Sequence, residues 1–303
     1  MGWVMTRPPT ISVVVPCYRH AEELEHCLTG LALQQCEARW EVVVVDSASD
    51  RDVAAAAAAG GARLVQSPTR LLPGQARNAG AVHARGDLLA FIDADCVPEP
   101  GWLSAACAAM DGNVRLASGP ILDSRPLHPI AVSDNLLQFA DFPRNRPEGP
   151  ARYFPGCNLA IQRSDFFAIG GFPEVTLPAG EDTSFCNIVA ARWPGSLRFT
   201  QGMRVRHAGR TRFAAYLQHH STFGYCRAAL DLHLKPSHRR WAGYPLMGIP
   251  VAAKRLGYIL GRGWEWDARQ LFKTLILLPV VVAGLIAWSS GFRRGLRAGG
   301  VDR

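Results

Sequence analysis

The chain has 303 residues, of which 48% are hydrophobic, and its formal net charge is +8 at pH 7. This length and apolar content suffice for one large hydrophobic core or slightly more. The basic charge is compatible with nucleic-acid binding, but no recognised nucleic-acid-binding motif accompanies it, so we expect no such partner. The eight cysteines form no Cys-x-x-Cys pair and several lie in apolar segments, which favours reduced thiols in the cytosol. Residues 1–10 carry no apparent secretory signal.

Strand-like and helical patterns alternate along the first 95 residues. The predicted strands are Ile11–Pro16, Glu41–Val45, Arg63–Gln66 and Leu88–Asp93, and the predicted helices are Glu22–Gln34, Val53–Ala59 and Gly74–Arg85. Continuous apolar strands that alternate with helices indicate a mostly parallel sheet with helices on both faces. No Gly-x-Gly-x-x-Gly follows the first strand, which argues against a dinucleotide-binding Rossmann domain.

Polar residues follow three of these predicted strands. They are Tyr18 after the first strand, Asp46 after the second, and Asp93-Ala94-Asp95 after the fourth. Ligands of open α/β sheets bind at the carboxyl ends of the strands. Alternation in an extended chain would put Asp93 and Asp95 on the same side, where two carboxylates suit Mn2+ or Mg2+. The alternative is a solvated turn after a strand.

Five segments together resemble a known family. They read VVVPCYRHAEELEHCL, VVVVDSASD, GQARNAGAVHARGDLLAFIDADCVPEPGWL, GCNLAIQRSDFFAIGGFPE and AGEDTSFC. In this order, over about residues 10–230, they resemble a family 2 glycosyltransferase with the GT-A fold. The resemblance implies an inverting, hexosyltransferase-type enzyme that uses a nucleotide-diphosphate sugar, a divalent metal, and a lipid-linked or saccharide acceptor. It also implies a role in making cell-envelope polysaccharide or glycolipid.

The resemblance assigns the nucleobase pocket to the first two strand ends. Pro16 and Tyr18 would line it, and Asp46 would accept a hydrogen bond from the base. The sequence departs from the family pattern at two positions, since Ser47 replaces a usual second acidic residue and Arg19 stands where an asparagine often follows the tyrosine. Both departures bear on the identity of the base.

The resemblance places the diphosphate and metal contacts on four residues. Arg77 would face the donor near the diphosphate, the alternative being an arginine on a solvated helix face. Asp93 would contact the ribose or the water shell of the metal, and Asp95 would coordinate the metal directly. His207, after a basic strand-like run, would contact the metal or diphosphate, although a lone histidine is more often structural.

The catalytic pair is assigned to Glu181 and Asp182. Inverting transfer needs one carboxylate to take the proton of the acceptor hydroxyl, and the resemblance gives that role to Asp182. Glu181 would touch the acceptor or tune its neighbour. Two acids at a helix start would also favour the helix dipole. Asn158 would bind a sugar hydroxyl of the acceptor or serve as a plain turn or strand asparagine.

Two other classes of function remain open from the sequence. The first is a haloacid-dehalogenase-like phosphatase, in which Asp-x-Asp supplies a nucleophile and an acid. That motif normally opens its domain, whereas three strand–helix units precede it here. The second is a non-catalytic nucleotide-sugar-binding scaffold, against which the presence of both Asp95 and Asp182 argues.

The C-terminal region differs in composition from the rest. We predict a catalytic domain over residues 10–232 and a basic, hydrophobic, membrane-associating region over 233–303. Residues 274–292 contain no charge and approach the length of a membrane span, with a buried C-terminal helix as the alternative. The preceding residues 244–260 could lie in the membrane plane. These features predict a location at the cytoplasmic face of the cell membrane.

Overall fold

The computed structural model describes residues 11–230 and 248–298. These residues form two compact units. The first contains 11–120, 147–174 and 181–206, and the second contains 121–146, 175–180, 207–230 and 248–298. The predicted boundary at residue 232 lies outside the described residues and stays a prediction.

The elements alternate strictly between strands and helices as far as residue 92, after which they are mixed. In order they are β1 Ile11–Cys17, α1 Ala21–Ala32, β2 Trp40–Asp46, α2 Arg51–Ala59, β3 Arg63–Gln66, α3 Pro73–His83, β4 Leu88–Ile92, β5 Cys96–Pro98, α4 Trp102–Ala109, β6 Leu116–Ser118, β7 Ile121–Asp123, α5 Pro129–Gln138, β8 Gly149–Pro150, β9 Asn158–Gln162, α6 Arg163–Ala168, α7 Glu181–Arg192, β10 Leu197–Phe199 and β11 Val205–His207. The described helices that follow are α8 Phe213–Leu230, α9 Gly248–Trp266, α10 Ala268–Ile276 and α11 Leu278–Ala298.

An eight-stranded sheet forms the centre of the first unit, in the order β3-β2-β1-β4-β9-β6-β10-β8. The first four of these strands are parallel, and β9 runs antiparallel to both of its neighbours. Val13, Val14 and Val15 are fully buried, as expected for a strand with helices on both faces. The predicted α/β fold with a mostly parallel sheet is therefore confirmed.

Helix α3 packs closely onto this sheet. Gly80 makes the approach possible, because a Cβ at that position would overlap Val14 Cγ1. The same helix carries Arg77 one turn earlier and Asn78 beside it. The glycine thus fixes the distance at which these two polar side chains stand from the strand ends.

The second unit is built from packed helices. Val132 and Leu137 of α5 share a buried cluster with Ile259, Val281 and Leu285. Helices α8 and α11 come into backbone contact. A Cβ at Gly291 would overlap the carbonyl oxygen of Ser221, and one at Gly284 would overlap Tyr216 Oη. Glycine on α11 is therefore required for this close packing.

The uncharged run 274–292 is not one straight helix. Helix α10 ends at Ile276, α11 begins at Leu278, and their axes differ by 84°. Pro279 lies at the second position of α11, where its missing N–H is tolerated. Among the described helices, none is by itself long and apolar enough to cross a membrane, whereas the bent pair α10–α11 meets that test by length and composition alone.

Candidate active site

The carboxyl ends of β1, β2 and β4 meet at one edge of the sheet. Cys17 pairs in register with Asp46, so β1 and β2 end level, and Val14 pairs with Phe91, so β4 ends within two residues of them. The sheet therefore gathers the three predicted groups of polar residues, as the sequence predicted. The chain after each strand supplies the side chains of the site.

Tyr18, directly after β1, is flanked by two arginines. The guanidinium of Arg70 lies 4.5 Å from the ring centroid and that of Arg19 lies 5.3 Å from it. Both distances are within the range of cation–π attraction. Arg19 also has a positive φ of 59°, a conformation that asparagine adopts more readily. Arg70 was not predicted, because it lies in an irregular loop with no motif around it.

Asp46 is fully buried and organises the loop that follows β2. Its Oδ1 accepts a hydrogen bond from Ala48 N at 2.9 Å and its Oδ2 accepts one from Asp50 N at 2.7 Å. Asp50 in turn accepts from Asp52 N at the start of α2. The observed role of Asp46 is thus to shape this loop. Its contact with a base stays a prediction, and a carboxylate oxygen can accept more than one hydrogen bond.

Asp93 and Asp95 leave the sheet in a turn, not in an extended strand. Strand β4 ends at Ile92, and Cys96 N donates to Asp93 O at 2.9 Å, which closes the turn. The prediction that alternation aligns the two carboxylates was therefore wrong in its geometry. Ala94 between them is buried, whereas both aspartates are half-buried. The turn keeps both carboxylates at the strand end.

Arg77 joins two carboxylates that are far apart in sequence. Its Nη2 donates to Asp93 Oδ1 at 2.6 Å and its Nη1 donates to Glu181 Oε1 at 2.7 Å. The residue is 2% exposed, so the alternative of a solvated helix arginine was wrong. Gly156 makes room for it, because a Cβ there would lie 2.6 Å from Arg77 Cζ. The predicted contact with a diphosphate stays a prediction.

The charges of this bridge affect one another. Burial alone would lower the pKa of Arg77, but Asp93 and Glu181 raise it overall. Burial and the charge of Asp182 raise the pKa of Glu181, while Arg77 opposes both effects. Arg77 thus binds Glu181, while the nearby charge of Asp182 disfavours the ionised form of Glu181.

Asp182 is the more accessible member of the acidic pair. Glu181, the first residue of α7, is buried, whereas Asp182 is half-buried. Asp182 Oδ2 accepts a hydrogen bond from Gly156 N at 3.3 Å, and its Oδ1 accepts one from Thr183 N at 2.6 Å. The two acids at the start of the helix therefore differ: Glu181 is buried and binds Arg77, whereas Asp182 is half-buried and accepts a hydrogen bond from Gly156 N.

Asn158 lies inside the first unit. It is fully buried, its Nδ2 donates to Met203 O at 2.8 Å, and its Oδ1 accepts from Trp102 Nε1 at 2.9 Å. These partners give it the structural role that the sequence left as the alternative. They argue against the predicted contact with an acceptor hydroxyl.

The Gly170-Gly171-Phe172 turn is anchored to α3. Asn78 Nδ2 donates to Phe172 O at 2.8 Å, and Phe172 N donates to Asn78 Oδ1 at 2.9 Å. The Phe172 ring packs on Phe185 with centroids 4.3 Å apart, and it lies 5.4 Å from the Arg77 guanidinium. The chain before α7 is thus fixed by the helix that carries Arg77.

His207 belongs to the second unit. It is buried, its Nδ1 lies 2.7 Å from Asn135 Oδ1, and its ring packs against Phe139 at 4.9 Å. These contacts account for its position in the fold. Its contact with a metal or diphosphate stays a prediction.

Comparison with known proteins identifies the family. The profile of the family described as "Glycosyl transferase family 2" matches residues 12–167, just over half of the chain. The chain belongs to glycosyl transferase family 2. The matched range contains β1–β4, the 93–96 turn and Arg77. This membership sets aside the phosphatase alternative.

Two curated glycosyltransferases match the chain over part of their lengths. The "Pre-mycofactocin glycosyltransferase" of Mycobacterium tuberculosis is 26% identical over 240 residues, which are 74% of this chain and 49% of that protein. The chain thus spans about half the length of this curated relative. "Glycosyltransferase AglE" of Haloferax volcanii is 25% identical over 180 residues, which are 57% of this chain and 59% of that protein.

Solved structures show that the family 2 chain has a GT-A fold. A mannosyltransferase from Pyrobaculum calidifontis, solved with GDP-Man and Mn2+, superposes with a TM-score of 0.58 at 19% identity over 98% of this chain and 87% of that chain. GalNAc-T7, solved with UDP, GalNAc and Mn2+, superposes with a TM-score of 0.53 at 16% identity over 80% of this chain and 51% of that chain. At these identities the likeness concerns the fold.

Proposed function

We propose that the protein transfers a hexose, with inversion, from a nucleotide-diphosphate sugar to a lipid-linked or saccharide hydroxyl. The observation that carries this proposal is the division of roles at the start of α7. Glu181 is buried and bonded to Arg77, whereas Asp182 is half-buried and its carboxylate accepts hydrogen bonds from Gly156 N, Thr183 N and Thr183 Oγ1. Glu181 is thus held by Arg77, and we assign the contact with the acceptor to Asp182.

Asp182 serves as the general base in this proposal. Attack of the acceptor oxygen on the anomeric carbon forms the new glycosidic bond and breaks the bond to the nucleoside diphosphate, and the hydroxyl proton passes to the Asp182 carboxylate. Such assistance typically contributes about a hundred- to ten-thousand-fold to the rate. Glu181 positions α7 through Arg77 and does not exchange the proton.

A divalent cation, Mn2+ or Mg2+, fits the residues at the end of β4. Asp93 and Asp95 supply carboxylate oxygens from one turn, both are half-buried, and one oxygen of Asp93 is bonded to Arg77. Hard cations prefer oxygen ligands of this kind. Asp95, with Asp93 beside it, would hold the cation, which would neutralise the charge that develops on the diphosphate leaving group.

Comparable proteins support the donor class. The mannosyltransferase and GalNAc-T7 structures were solved with GDP-Man or with UDP and GalNAc, each with Mn2+. A pathway that builds cell-envelope polysaccharide or glycolipid suits a transferase with a lipid-linked or saccharide acceptor. The sugar and the base of the donor are to be found by direct measurement.

The test begins with donor binding. Thermal unfolding with UDP-, GDP- and dTDP-sugars, each with and without Mn2+, identifies the donor, because a ligand that binds only the folded state raises the unfolding temperature. Transfer is then measured for wild type, Asp182→Asn and Glu181→Gln, and the anomeric configuration of the product is read by NMR.

The expected outcome is specific for each variant. Asp182→Asn should bind donor normally and lose at least about a hundredfold in transfer rate, while Glu181→Gln should lose less. Retention of the anomeric configuration, or full activity of both variants, contradicts the mechanism. Donor binding without any transfer or donor hydrolysis would instead indicate the non-catalytic scaffold.

A further inference from the structure

A row of large apolar side chains is exposed on the bent helix pair α10–α11. On α10 these are Phe272, Leu275 and Ile276, which share one face through their i, i+3, i+4 spacing. On α11 they are Val282 and Ile286, one turn apart. Phe272, Ile276 and Ile286 are 65%, 60% and 61% exposed. Single exposed apolar residues are ordinary, but five on two joined helices indicate a surface for a partner.

The opposite faces of the same helices are already packed. Thr274, Val281 and Leu285 are buried, and Gly284 and Gly291 contact α8. The exposed residues are therefore not core residues awaiting a rearrangement of these helices. Between Lys273 and Arg293 the sequence has no charged residue, so the exposed face of the bend carries no charge between these two residues.

Helix α9 adds apolar side chains to the exposed surface of the second unit. Trp264 is 83% exposed, and Ile249 and Tyr258 are exposed as well. The exposed face of α9 carries only Lys254 and Glu265 as charged residues. A large exposed tryptophan near the end of an amphipathic helix is typical of the boundary between water and lipid.

Exposed basic residues occur on the same three helices as these apolar side chains. The segment 248–298 contains eight basic and only two acidic residues, a net charge of +6 out of +8 for the chain. Four of the basic residues are exposed: Lys254, Arg269, Arg294 and Arg297. Helices that expose both large apolar side chains and cations complement a bilayer surface with anionic head groups.

We infer that the exposed face of α9, α10 and α11 docks the protein on an anionic lipid surface. The apolar side chains around the bend at Leu277 enter the boundary between head groups and acyl chains, and the exposed arginines bind lipid phosphates. The helices lie in the interface and do not cross the bilayer. This inference concerns binding alone and does not depend on the sugar transfer proposed above.

The experiment measures sedimentation of the full chain with lipid vesicles. The wild-type protein should bind vesicles that contain phosphatidylglycerol more strongly than vesicles of phosphatidylcholine alone, and added salt should weaken the difference. The triple variant Phe272→Ser, Ile276→Ser, Ile286→Ser should lose about a hundredfold or more in partition coefficient. The double variant Arg269→Gln, Arg297→Gln should lose about thirtyfold on anionic vesicles only.

Matched controls lie in the first unit. Leu33 and Val82 are 65% and 64% exposed, so the double variant Leu33→Ser, Val82→Ser removes equally exposed apolar side chains elsewhere and should bind like wild type. Circular dichroism and thermal unfolding check that each variant is folded. If the triple variant is not, the single variant Ile276→Ser should still reduce binding measurably.

Three results would overturn the inference. The first is a wild-type protein that does not sediment with either kind of vesicle. The second is a folded triple variant, or a folded Ile276→Ser variant, that binds as wild type does. The third is a wild-type dimer in lipid-free solution that the triple variant converts to a monomer, which would assign the face to self-association.

Discussion

Replacing Arg77 with methionine should destabilise the first unit strongly. The substitution keeps an unbranched side chain but removes the cation that Asp93 and Glu181 share. Hydrogen bonds of 2.6 and 2.7 Å are lost together. The two carboxylates then remain near each other without their common partner.

The magnitude follows from the burial of the three groups. The side chains of Arg77 and Glu181 are 3% and 10% exposed, and that of Asp93 is 32% exposed. Removing one member of a buried ion pair costs about 3–5 kcal/mol of unfolding free energy. Glu181 accounts for the larger part, because water can solvate the Asp93 carboxylate more readily.

The deficit should depend on pH with a defined sign. Burial and Asp182 raise the pKa of Glu181 in the wild-type protein, and Arg77 opposes them, so the pKa should rise further in Arg77→Met. When the pKa of a carboxyl group is higher in the folded protein than in the unfolded chain, the unfolding free energy falls as pH rises from the lower to the higher value. The difference between wild type and variant should thus be smaller at acidic pH and grow toward neutral pH.

The assay is urea unfolding of both proteins across a pH series. Arg115→Met is the matched control, because it breaks a 3.2 Å pair with Asp165 in which Arg115 is 38% exposed, and it should cost less than about 1 kcal/mol. The reasoning fails if Arg77→Met is as stable as Arg115→Met, or if its deficit does not change with pH.

Three further substitutions test other parts of the structure. Asp95→Asn should abolish the Mn2+-dependent part of donor stabilisation, measured by thermal unfolding, since an amide is a poorer ligand for a hard cation. Asn158→Ala should lower the unfolding free energy by about 2–4 kcal/mol, because it leaves Trp102 Nε1 and Met203 O without this partner, and it should leave the KM for acceptor unchanged. Gly291→Val should destabilise the second unit by about 1–3 kcal/mol or more in urea unfolding, since its side chain would meet the Ser221 carbonyl.

Each of these has a control and a contrary result. For Asp95→Asn the control is donor binding in excess chelator. If Mn2+ increases donor stabilisation equally in the variant and the wild type, Asp95 is not a ligand of the metal. For Asn158→Ala, a raised KM for acceptor with unchanged unfolding free energy would support the predicted contact between Asn158 and the acceptor. For Gly291→Val the control is Gly257→Val, since a Cβ at Gly257 meets nothing within 4 Å, and equal effects of the two would contradict close helix packing.

Local patterns predicted the elements up to residue 92 well. Arg63–Gln66 was predicted with the bounds of β3, and the other strands and helices up to residue 92 were predicted to within two residues at each end. The reason is that runs of β-branched residues mark buried strands, and regularly spaced leucines mark the buried face of a helix. The Asp93–Cys96 turn was missed because alternation holds only while the chain remains extended.

Contacts over long sequence separation could not be predicted in the same way. Arg77 and Glu181 are 104 residues apart, and no local pattern joins them. A signal was present, since Arg77 stands among the small residues Gly74, Ala76 and Gly80 on the buried face of its helix. A charge in such a position needs a buried partner, although the pattern does not say which.

Pro279 in the C-terminal uncharged run argues against one continuous helix there. The nineteen uncharged residues of this run, 274–292, approach the length of one membrane span. Proline inside a helix removes a hydrogen bond and clashes with the preceding turn. The structure ends one helix at Ile276 and starts the next at Leu278, so that Pro279 occupies a helix start.

The bend at Leu277 has a consequence for orientation. One amphipathic helix lying on a flat sheet of lipid can still roll about its own axis, so the body attached to it is free to tilt. Two joined axes at 84° define a plane, and rolling about either axis lifts the other away from the surface. Contact through both helices would therefore fix the tilt of the second unit against the bilayer, and not only its distance from it.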